Sequence, residues 1–175
     1  MCGMLGHGDA FALRDPAAIR PAYYYQDDEV VVVASERPVI QTAFNIKWEE
    51  IKELNPGNAL IIKKDNSFKE VEINPPKEIK KCSFERIYFS RGTDKDIYNE
   101  RLKLGKLVVK QVLTAIDHDL KNTVFSFIPN TAEMSYYGMI KATENYLAGV
   151  KKKKIQELDI NDPAYDEKLN EILSI

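Results

Sequence analysis

Short apolar runs separated by turn residues dominate the first part of the chain and predict β-strands. Tyr- and Val-rich runs on either side of Gln26-Asp27-Asp28 indicate an antiparallel hairpin, and a second hairpin is predicted about Asp65-Asn66-Ser67. Asn55-Pro56-Gly57-Asn58 is typical of a turn, because proline presets one φ angle and glycine accepts a positive φ at the next position. The pattern predicts a β-meander. Its strands are expected at residues 4–13, 22–25, 29–34, 59–62 and 68–73.

Apolar positions at helical spacing dominate the chain beyond Asn74-Pro75-Pro76-Lys77, where Pro-Pro ends regular strand pairing. Thr93 or Asp94 is expected to cap a long helix. A short buried strand is expected at 123–128 between two helices, an order that suggests α/β for this part of the chain. Together with the strands before it, the whole chain is expected to be α+β. The expected helices are a short one at 37–42 capped by Ser35, one from the Thr93-Asp94 cap to about residue 116, one at 132–147, and a last one opened by Asp162-Pro163.

Composition narrows the class of protein. The chain has 175 residues, of which 44% are hydrophobic and 30% charged, which is the balance of a soluble globular protein. A net charge of -2 gives no basic field for nucleic acid, and acidic residues follow Lys151–Lys154, so this run is expected to be a solvated helix end. The longest apolar run, Val30–Ala34, is too short to span a membrane. Cys2 and Cys82 lie far apart without secretory features, so a reducing, cytoplasmic location without a disulfide is expected.

Cys2 is the candidate catalytic residue. If Met1 is removed, the Cys2 thiolate becomes a nucleophile and its own α-amino group can act as the base. The alternative is that Cys2 is chemically ordinary. His7 and His118 have no other ligand-type residues at the spacing of a metal site, so no metal site is predicted.

A turn before the predicted helix at 132–147 is the second candidate site. Backbone N–H groups of the turn Pro129-Asn130-Thr131 would point towards an anion at a helix N-terminus. Because Pro129 lacks an amide hydrogen, only Asn130 and Thr131 can donate. The alternative for Pro129, Asn130 and Thr131 is a plain helix cap. The glycines of the chain form no phosphate-binding loop of the P-loop or Rossmann kind.

The most densely charged turn is Arg14–Pro21, which has the sequence RDPAAIRP. Its two prolines each fix φ, and its two arginines are always charged. Arg14, Asp15 and Arg20 are expected to pair structurally rather than to contact a substrate, because a corner between buried strands needs its charges paired.

Three motifs in order resemble the class II glutamine amidotransferases, whose glutaminase domain is of the N-terminal-nucleophile type. They are RDPAAIRP at 14–21, Ala34-Ser35-Glu36 after a valine-rich strand, and the turn Asn55-Pro56-Gly57. Beyond the Pro-Pro boundary, further segments resemble the part of the amidophosphoribosyltransferase family that leads into its phosphoribosyltransferase domain. These segments are 82–91, Asp94, Arg101, Leu104-Gly105 and 128–132.

The resemblance implies a fold and an activity. The fold is a partial αββα antiparallel sandwich over residues 1–76, followed over 77–175 by the first α/β elements of a type I phosphoribosyltransferase domain. The activity is the first step of purine biosynthesis: glutamine is hydrolysed, and the ammonia displaces pyrophosphate from phosphoribosyl pyrophosphate to give phosphoribosylamine. The implied partners are glutamine, phosphoribosyl pyrophosphate with Mg²⁺, and further copies in a homo-oligomer, with neither nucleic acid nor membrane.

Some members of the family carry an iron–sulfur cluster, and Cys82 matches one of its ligands. A cluster requires four thiolates, and this chain has two cysteines, so no cofactor is expected and Cys82 is expected to be a small buried residue.

The chain also departs from the family. The stretch that separates Met-Cys-Gly from the corner in the family is missing, and with it the residues that hold glutamine and the Asn-Gly pair of the oxyanion hole. The acidic pair and Gly/Thr-rich loop that bind phosphoribosyl pyrophosphate are missing before Ile175. Ala18 stands where the family has glycine. The chain is therefore expected to be an inactive fragment; the alternatives are a non-catalytic interaction remnant or another class II amidotransferase such as asparagine synthetase.

Overall fold

The computed structural model describes all 175 residues, which form two compact units, residues 1–97 and 98–175. The fold is mixed α/β with antiparallel sheets. The strands are β1 (Cys2–Met4), β2 (Ala10–Leu13), β3 (Tyr23–Gln26), β4 (Val31–Ala34), β5 (Lys52–Glu53), β6 (Asn58–Ile62) and β7 (Phe68–Glu72). The helices are α1 (Arg37–Phe44), α2 (Lys95–Ala115), α3 (Glu133–Gln156) and α4 (Tyr165–Leu173), with a 3-10 turn at Trp48–Glu50 and a π-helical turn at Glu85–Phe89.

The strands form two sheets, a four-stranded sheet in the order β1-β2-β6-β7 and a three-stranded sheet in the order β4-β3-β5. Both predicted hairpins are confirmed, since β3 pairs with β4 and β6 with β7. The predicted meander is wrong, because the chain changes sheet between β2 and β3 and returns between β5 and β6. The two changes fall at the Arg14–Pro21 corner and around the Asn55–Asn58 turn. These two turns therefore set the connection between the sheets.

A small apolar core lies between the sheets. Ala12 of β2 and Leu60 of β6 are paired neighbours, and Tyr24 of β3 and Leu54 join them in one buried cluster. The hydroxyl of Tyr24 donates to the carboxylate of Glu70 on β7 at 3.2 Å, so its polar end has a partner. Partly buried side chains surround the cluster: Ala22, Val31, Val33, Ile62 and Phe68.

The single strand predicted at 4–13 is two strands joined by a turn. Gly8 has a φ of +107°, and the Leu5 amide donates to the Asp9 carbonyl at 2.7 Å. A positive φ interrupts an extended strand and is tolerated by glycine. The glycine at position 8 therefore interrupts the strand, although the apolar pattern alone predicts one continuous strand.

Asp94 is confirmed as the cap of α2, and the predicted cap of α1 at Ser35 is wrong. The Asp94 carboxylate accepts hydrogen bonds from the amides of Asp96 and Ile97 at 3.0 and 3.2 Å and so caps α2. Ser35 does not cap α1, since Glu36 occupies the N-cap position and makes no side-chain cap bond. Pro38 lies in the first turn of α1, where an amide hydrogen has no partner within the helix, so proline does not interrupt the helix there. The helix ends at Phe44, two residues beyond the predicted end.

The C-terminal helices agree with the pattern. Lys153 and Lys154 lie in the last turn of α3, as expected for a solvated helix end that favours positive charge. The Asp162 carboxylate accepts the amide of Ala164 at 2.8 Å just before α4. Ile172 is the buried residue of α4.

The strand predicted at 123–128 is absent. These residues are irregular, and Val124 and Ile128 are 93% and 83% exposed. No strand forms anywhere in 98–175, so this apolar segment has no ladder to join.

Two glycines allow α2 and α3 to cross at backbone contact. A Cβ atom at Gly105 would overlap the carbonyl oxygen of Ser135, and a Cβ atom at Gly138 would overlap that of Leu102. Any larger residue at either position would force the helices apart.

Asp9 makes the stability of the first unit depend on acid pH. Its carboxylate accepts hydrogen bonds from the Lys63 ammonium at 2.6 Å and the Lys64 amide at 3.1 Å, and these bonds lower its pKa from 3.8 to about 2. Because the folded-state pKa is depressed, this stabilisation is present above pH 3.8 and is lost as the pH falls through about 2.

We expect Asp9→Asn to lower the urea midpoint of unfolding above pH 3.8, and the difference from the unmodified protein to shrink towards pH 2. Lys63→Met removes the ammonium partner of Asp9, leaves the Lys64 amide bond, and should converge in the same way with a smaller difference. A midpoint difference that is constant over this pH range would contradict the assignment.

Candidate functional site

The first unit contains a cleft of about 60 Å³ at the Arg14–Pro21 corner, here called the corner cleft. Three segments enclose it: the corner itself, the start of α1, and residues 81–97. Its lining includes Arg14, Ala18, Arg37, Cys82, Glu85 and Asp94.

Arg14 forms the buried floor of the corner cleft and is 5% exposed. Its guanidinium donates to the Leu54 carbonyl at 2.5 Å, to the Glu53 carboxylate at 2.8 Å and to the Arg20 carbonyl at 3.2 Å. A forked donor with this many fixed partners holds the corner against β5. The predicted structural role of Arg14 is confirmed, with Glu53 as its ionic partner.

Asp15 and Ala18 set the shape of the corner. The Asp15 carboxylate accepts the amides of Ala17 and Ile19 at 3.0 and 3.1 Å. Ala18 has a φ of +52° and is 2% exposed, so it adopts the left-handed conformation that glycine tolerates best. A residue with a Cβ atom in that conformation costs roughly 1–2 kcal/mol. The corner therefore retains its turn with local strain.

Arg37 is the central residue of the cleft wall. Its guanidinium lies 3.7 Å from the ring centroid of Trp48 and 4.9 Å from that of Tyr23, and it pairs with Asp94 at 3.2 Å and Asp96 at 2.8 Å. Burial raises the pKa of Tyr23, and the positive charge of Arg37 opposes that shift. The sequence pattern did not identify Arg37; the lone tryptophan and an arginine at a helix start were the available signals.

Two further ion pairs close the cleft. Arg20 pairs with Glu85 at 3.1 Å, and Arg91 pairs with Glu36 at 2.9 Å. Four arginines of the region therefore each face a carboxylate. This arrangement fastens segments together, and it does not place a nucleophile beside a base.

Cys82 lines the cleft and is half-buried rather than fully buried. No three His, Cys, Asp or Glu side chains converge as metal ligands in the 175 residues. His7 instead contacts the Asp9 carboxylate at 3.2 Å, and His118 contacts the Tyr146 hydroxyl at 2.8 Å. No helix has the length and apolar character needed to cross a bilayer.

The structure places Cys2 on β1, outside the corner cleft. Cys2 is exposed, and it pairs with Ala12 across the four-stranded sheet, on the face that carries the core. The Met1 ammonium donates to the Leu13 carbonyl at 2.8 Å. Removal of Met1 would therefore leave the amine of Cys2 at the edge of this sheet.

Pro129, Asn130 and Thr131 lie in the second unit, in a turn that leads to α3. The amide of Glu133 donates to the Asn130 carbonyl at 3.4 Å, and Ala132 at the N-cap position has no side-chain cap bond. Pro129 and Asn130 are exposed and Thr131 is half-buried.

Two solved structures share the fold of this chain. The chain matches a glutamine phosphoribosylpyrophosphate amidotransferase from B. subtilis complexed with ADP and GMP, with a TM-score of 0.56 and 24% identity over 78% of this chain and 29% of that one. A structure of the allosteric regulatory enzyme of purine biosynthesis matches equally, with a TM-score of 0.56 and 24% identity over 77% of this chain and 28% of that one. The fold is that of a segment of these enzymes.

Curated relatives then identify the particular homologues, which are both amidophosphoribosyltransferases. The relative from Lachancea kluyveri is 30% identical in an alignment 141 residues long, which covers 74% of this chain and 27% of the relative. The relative from Methanothermobacter thermautotrophicus is 26% identical in an alignment 107 residues long, which covers 59% of this chain and 22% of the relative. The resemblance to amidophosphoribosyltransferase is confirmed, and this chain spans about a quarter of the length of these relatives. No protein-family model matches the chain.

Proposed function

We propose that this chain is part of an amidophosphoribosyltransferase, in which ammonia from glutamine displaces pyrophosphate from phosphoribosyl pyrophosphate to give phosphoribosylamine. The observation that carries the proposal is the 30% identity over 141 residues to the Lachancea kluyveri enzyme. That length exceeds the 97 residues of the first unit, so the similarity runs into the second unit as well.

We assign residues 1–76 to a truncated glutaminase domain and 77–175 to the start of a transferase domain. Two features support an αββα sandwich for the first part. The sheets share a core, and α1 packs on β3 and β4 of the three-stranded sheet. The central strands β2 and β6 read AFAL and NALII, which is close to a continuous apolar run and typical of strands buried on both faces. The outer face of the four-stranded sheet is thus suited to a further helical layer.

Cys2 is our candidate nucleophile for the whole enzyme, with its α-amino group as base once Met1 is removed. Asn130 and Thr131 are candidates to contact pyrophosphate through their backbone amides near the start of α3, in the turn that Pro129 opens. Mg²⁺ would accompany phosphoribosyl pyrophosphate as part of that substrate. The expected setting is a cytoplasmic homo-oligomer.

We expect the purified 175-residue protein to be inactive with glutamine, phosphoribosyl pyrophosphate and Mg²⁺. Loss of an oxyanion donor alone typically costs about 10² to 10³ in rate, and the family's glutamine-holding residues have no counterpart in this chain. A diazoketone analogue of glutamine should leave Cys2 unmodified by mass spectrometry, whereas iodoacetamide should alkylate it. Production of phosphoribosylamine or a diazoketone adduct would contradict the expectation that the fragment is inactive.

The assignment to this enzyme is tested separately by genetic complementation. The genomic reading frame on both sides of the segment is cloned and expressed in a host that lacks amidophosphoribosyltransferase. We expect growth without added purine from the extended reading frame and no growth from the 175-residue protein. An extended frame that encodes neither a glutaminase start nor a phosphate loop would overturn the assignment.

A further inference from the structure

Residues 77–91 run across the Arg14–Pro21 corner and end in the π-helical turn Glu85–Phe89 and the two residues after it; this segment is here called the latch. Three of its backbone amides donate to carbonyl oxygens of the corner. These bonds are Lys77 to Pro16 at 2.8 Å, Lys80 to Ala17 at 2.8 Å and Cys82 to Ile19 at 3.3 Å. The latch is therefore bonded along the corner, over the cleft that it helps to enclose.

Charged side chains supply further attachments of the latch. The Glu85 carboxylate is 7% exposed and pairs with Arg20, whose guanidinium also lies 5.1 Å from the Phe89 ring centroid. Near the end of the latch, Arg91 pairs with Glu36 at 2.9 Å. Both arginines are more than half exposed, so salt screens their side of each pair.

Apolar burial contributes little to holding the latch closed. Its large side chains Phe84, Ile87, Tyr88 and Phe89 are 66%, 62%, 67% and 46% exposed. None of them belongs to the buried core between the sheets. Because the hydrophobic effect scales with buried apolar area, detachment of the latch costs far less than unfolding of the sheets.

The chain beyond the latch is held more firmly. Asp94 is 5% exposed, caps α2 and pairs with Arg37, which in turn stacks on Trp48. A stacked, partly buried arginine is screened less by salt than an exposed one. This cluster would stay in place as the hinge while residues 77–91 detach.

We propose that residues 77–91 are an electrostatic latch, which opens the corner cleft while the two sheets stay folded. Glu85 provides the switching element, because the closed state buries its carboxylate beside one arginine. Without Arg20, the closed state would hold an uncompensated buried charge, whereas the open state would hydrate it. Opening of the latch requires no catalytic activity, so it does not depend on the proposed enzymatic function.

The two cysteines allow a direct test in the intact protein. Cys82 lies within the latch and is half-buried, while Cys2 lies exposed on β1 and serves as an internal reference. Alkylation by iodoacetamide at low protein concentration is followed for each thiol by mass spectrometry. We expect Arg20→Gln to raise the Cys82 rate about tenfold, which corresponds to a shift of about 1.4 kcal/mol in the opening equilibrium, with the Cys2 rate unchanged.

Two variants complete the test. Arg20→Gln combined with Glu85→Gln removes the buried charge and should bring the Cys82 rate back towards that of the unmodified protein. Glu144→Gln breaks an exposed pair with Lys141 in the second unit and should leave the Cys82 rate unchanged. Amide hydrogen exchange at Lys80 should follow the Cys82 rate, while exchange at Leu54 stays slow. Equal Cys82 rates in all variants, or faster Cys82 reaction accompanied by loss of circular dichroism, would overturn the latch.

Discussion

Gly138→Ala is expected to destabilise the second unit by about 3 kcal/mol, because the added methyl group meets backbone rather than a side chain. The added Cβ atom would overlap the Leu102 carbonyl oxygen and would lie 2.9 Å from the Leu102 Cα atom. Backbone atoms cannot rotate away as a side chain can, so α2 and α3 must separate. Gly105→Ala would meet the Ser135 carbonyl oxygen and should act in the same way.

Gly149→Ala is the matched control on α3. A Cβ atom there meets nothing within 4 Å, so the substitution should stabilise the helix by roughly 0.5–1 kcal/mol through its better helix propensity. The measurement is urea unfolding followed by far-UV circular dichroism. If Gly138→Ala and Gly149→Ala gave shifts of the same sign, the close crossing of the two helices would be wrong.

Arg14→Met is expected to destabilise the first unit by about 1–3 kcal/mol, the second large effect. The substitution leaves the carbonyls of Leu54 and Arg20 and the carboxylate of Glu53 without the donor that each now has. Arg14→Lys keeps the charge but loses the forked geometry, so it should recover only part of this loss.

Arg91→Met provides the comparison for Arg14→Met. Its pair with Glu36 lies at the surface, where the arginine side chain is 67% exposed, and such pairs contribute about 0–1 kcal/mol. The free energies of unfolding come from urea titration at neutral pH. Equal losses for the two variants would show that burial of Arg14 does not govern its contribution.

Local turn chemistry made several elements predictable. Gln26-Asp27-Asp28 and Asp65-Asn66-Ser67 each join two strands as expected, because aspartate side chains bond the backbone within the same turn. The cap at Asp94 also depends on residues two and three positions away. In each of these correctly predicted elements, the bonded residues lie within a few positions of one another in the chain.

The sequence identified the corner but not its cleft. Arg14, Asp15 and Arg20 were expected to be structural, and their contacts confirm this. The cluster about Arg37 joins residues that are 57 positions apart in the chain. The spacing of apolar and polar residues does not predict a contact between residues so far apart, so this cluster is seen only in the folded structure.

The backbone conformation of Ala18 could be read from the structure but not from the sequence. Ala18 stands where the resembled family has glycine, and the sequence does not show which backbone conformation an alanine adopts there. The structure shows the positive φ of +52°, held by amide bonds to Asp15 on both sides of Ala18.

The sequence alone therefore determined the hairpins, the long capped helix, the charged corner and the resemblance to amidophosphoribosyltransferase, because each depends on residues close together in the chain. The tertiary structure determined which sheet each hairpin joins and which arginines and carboxylates pair at the corner cleft. It also determined that residues 123–128 have no neighbouring strand to pair with. Strand partners and ion pairs come from distant segments, and their formation depends on the packing of the whole unit rather than on local preference.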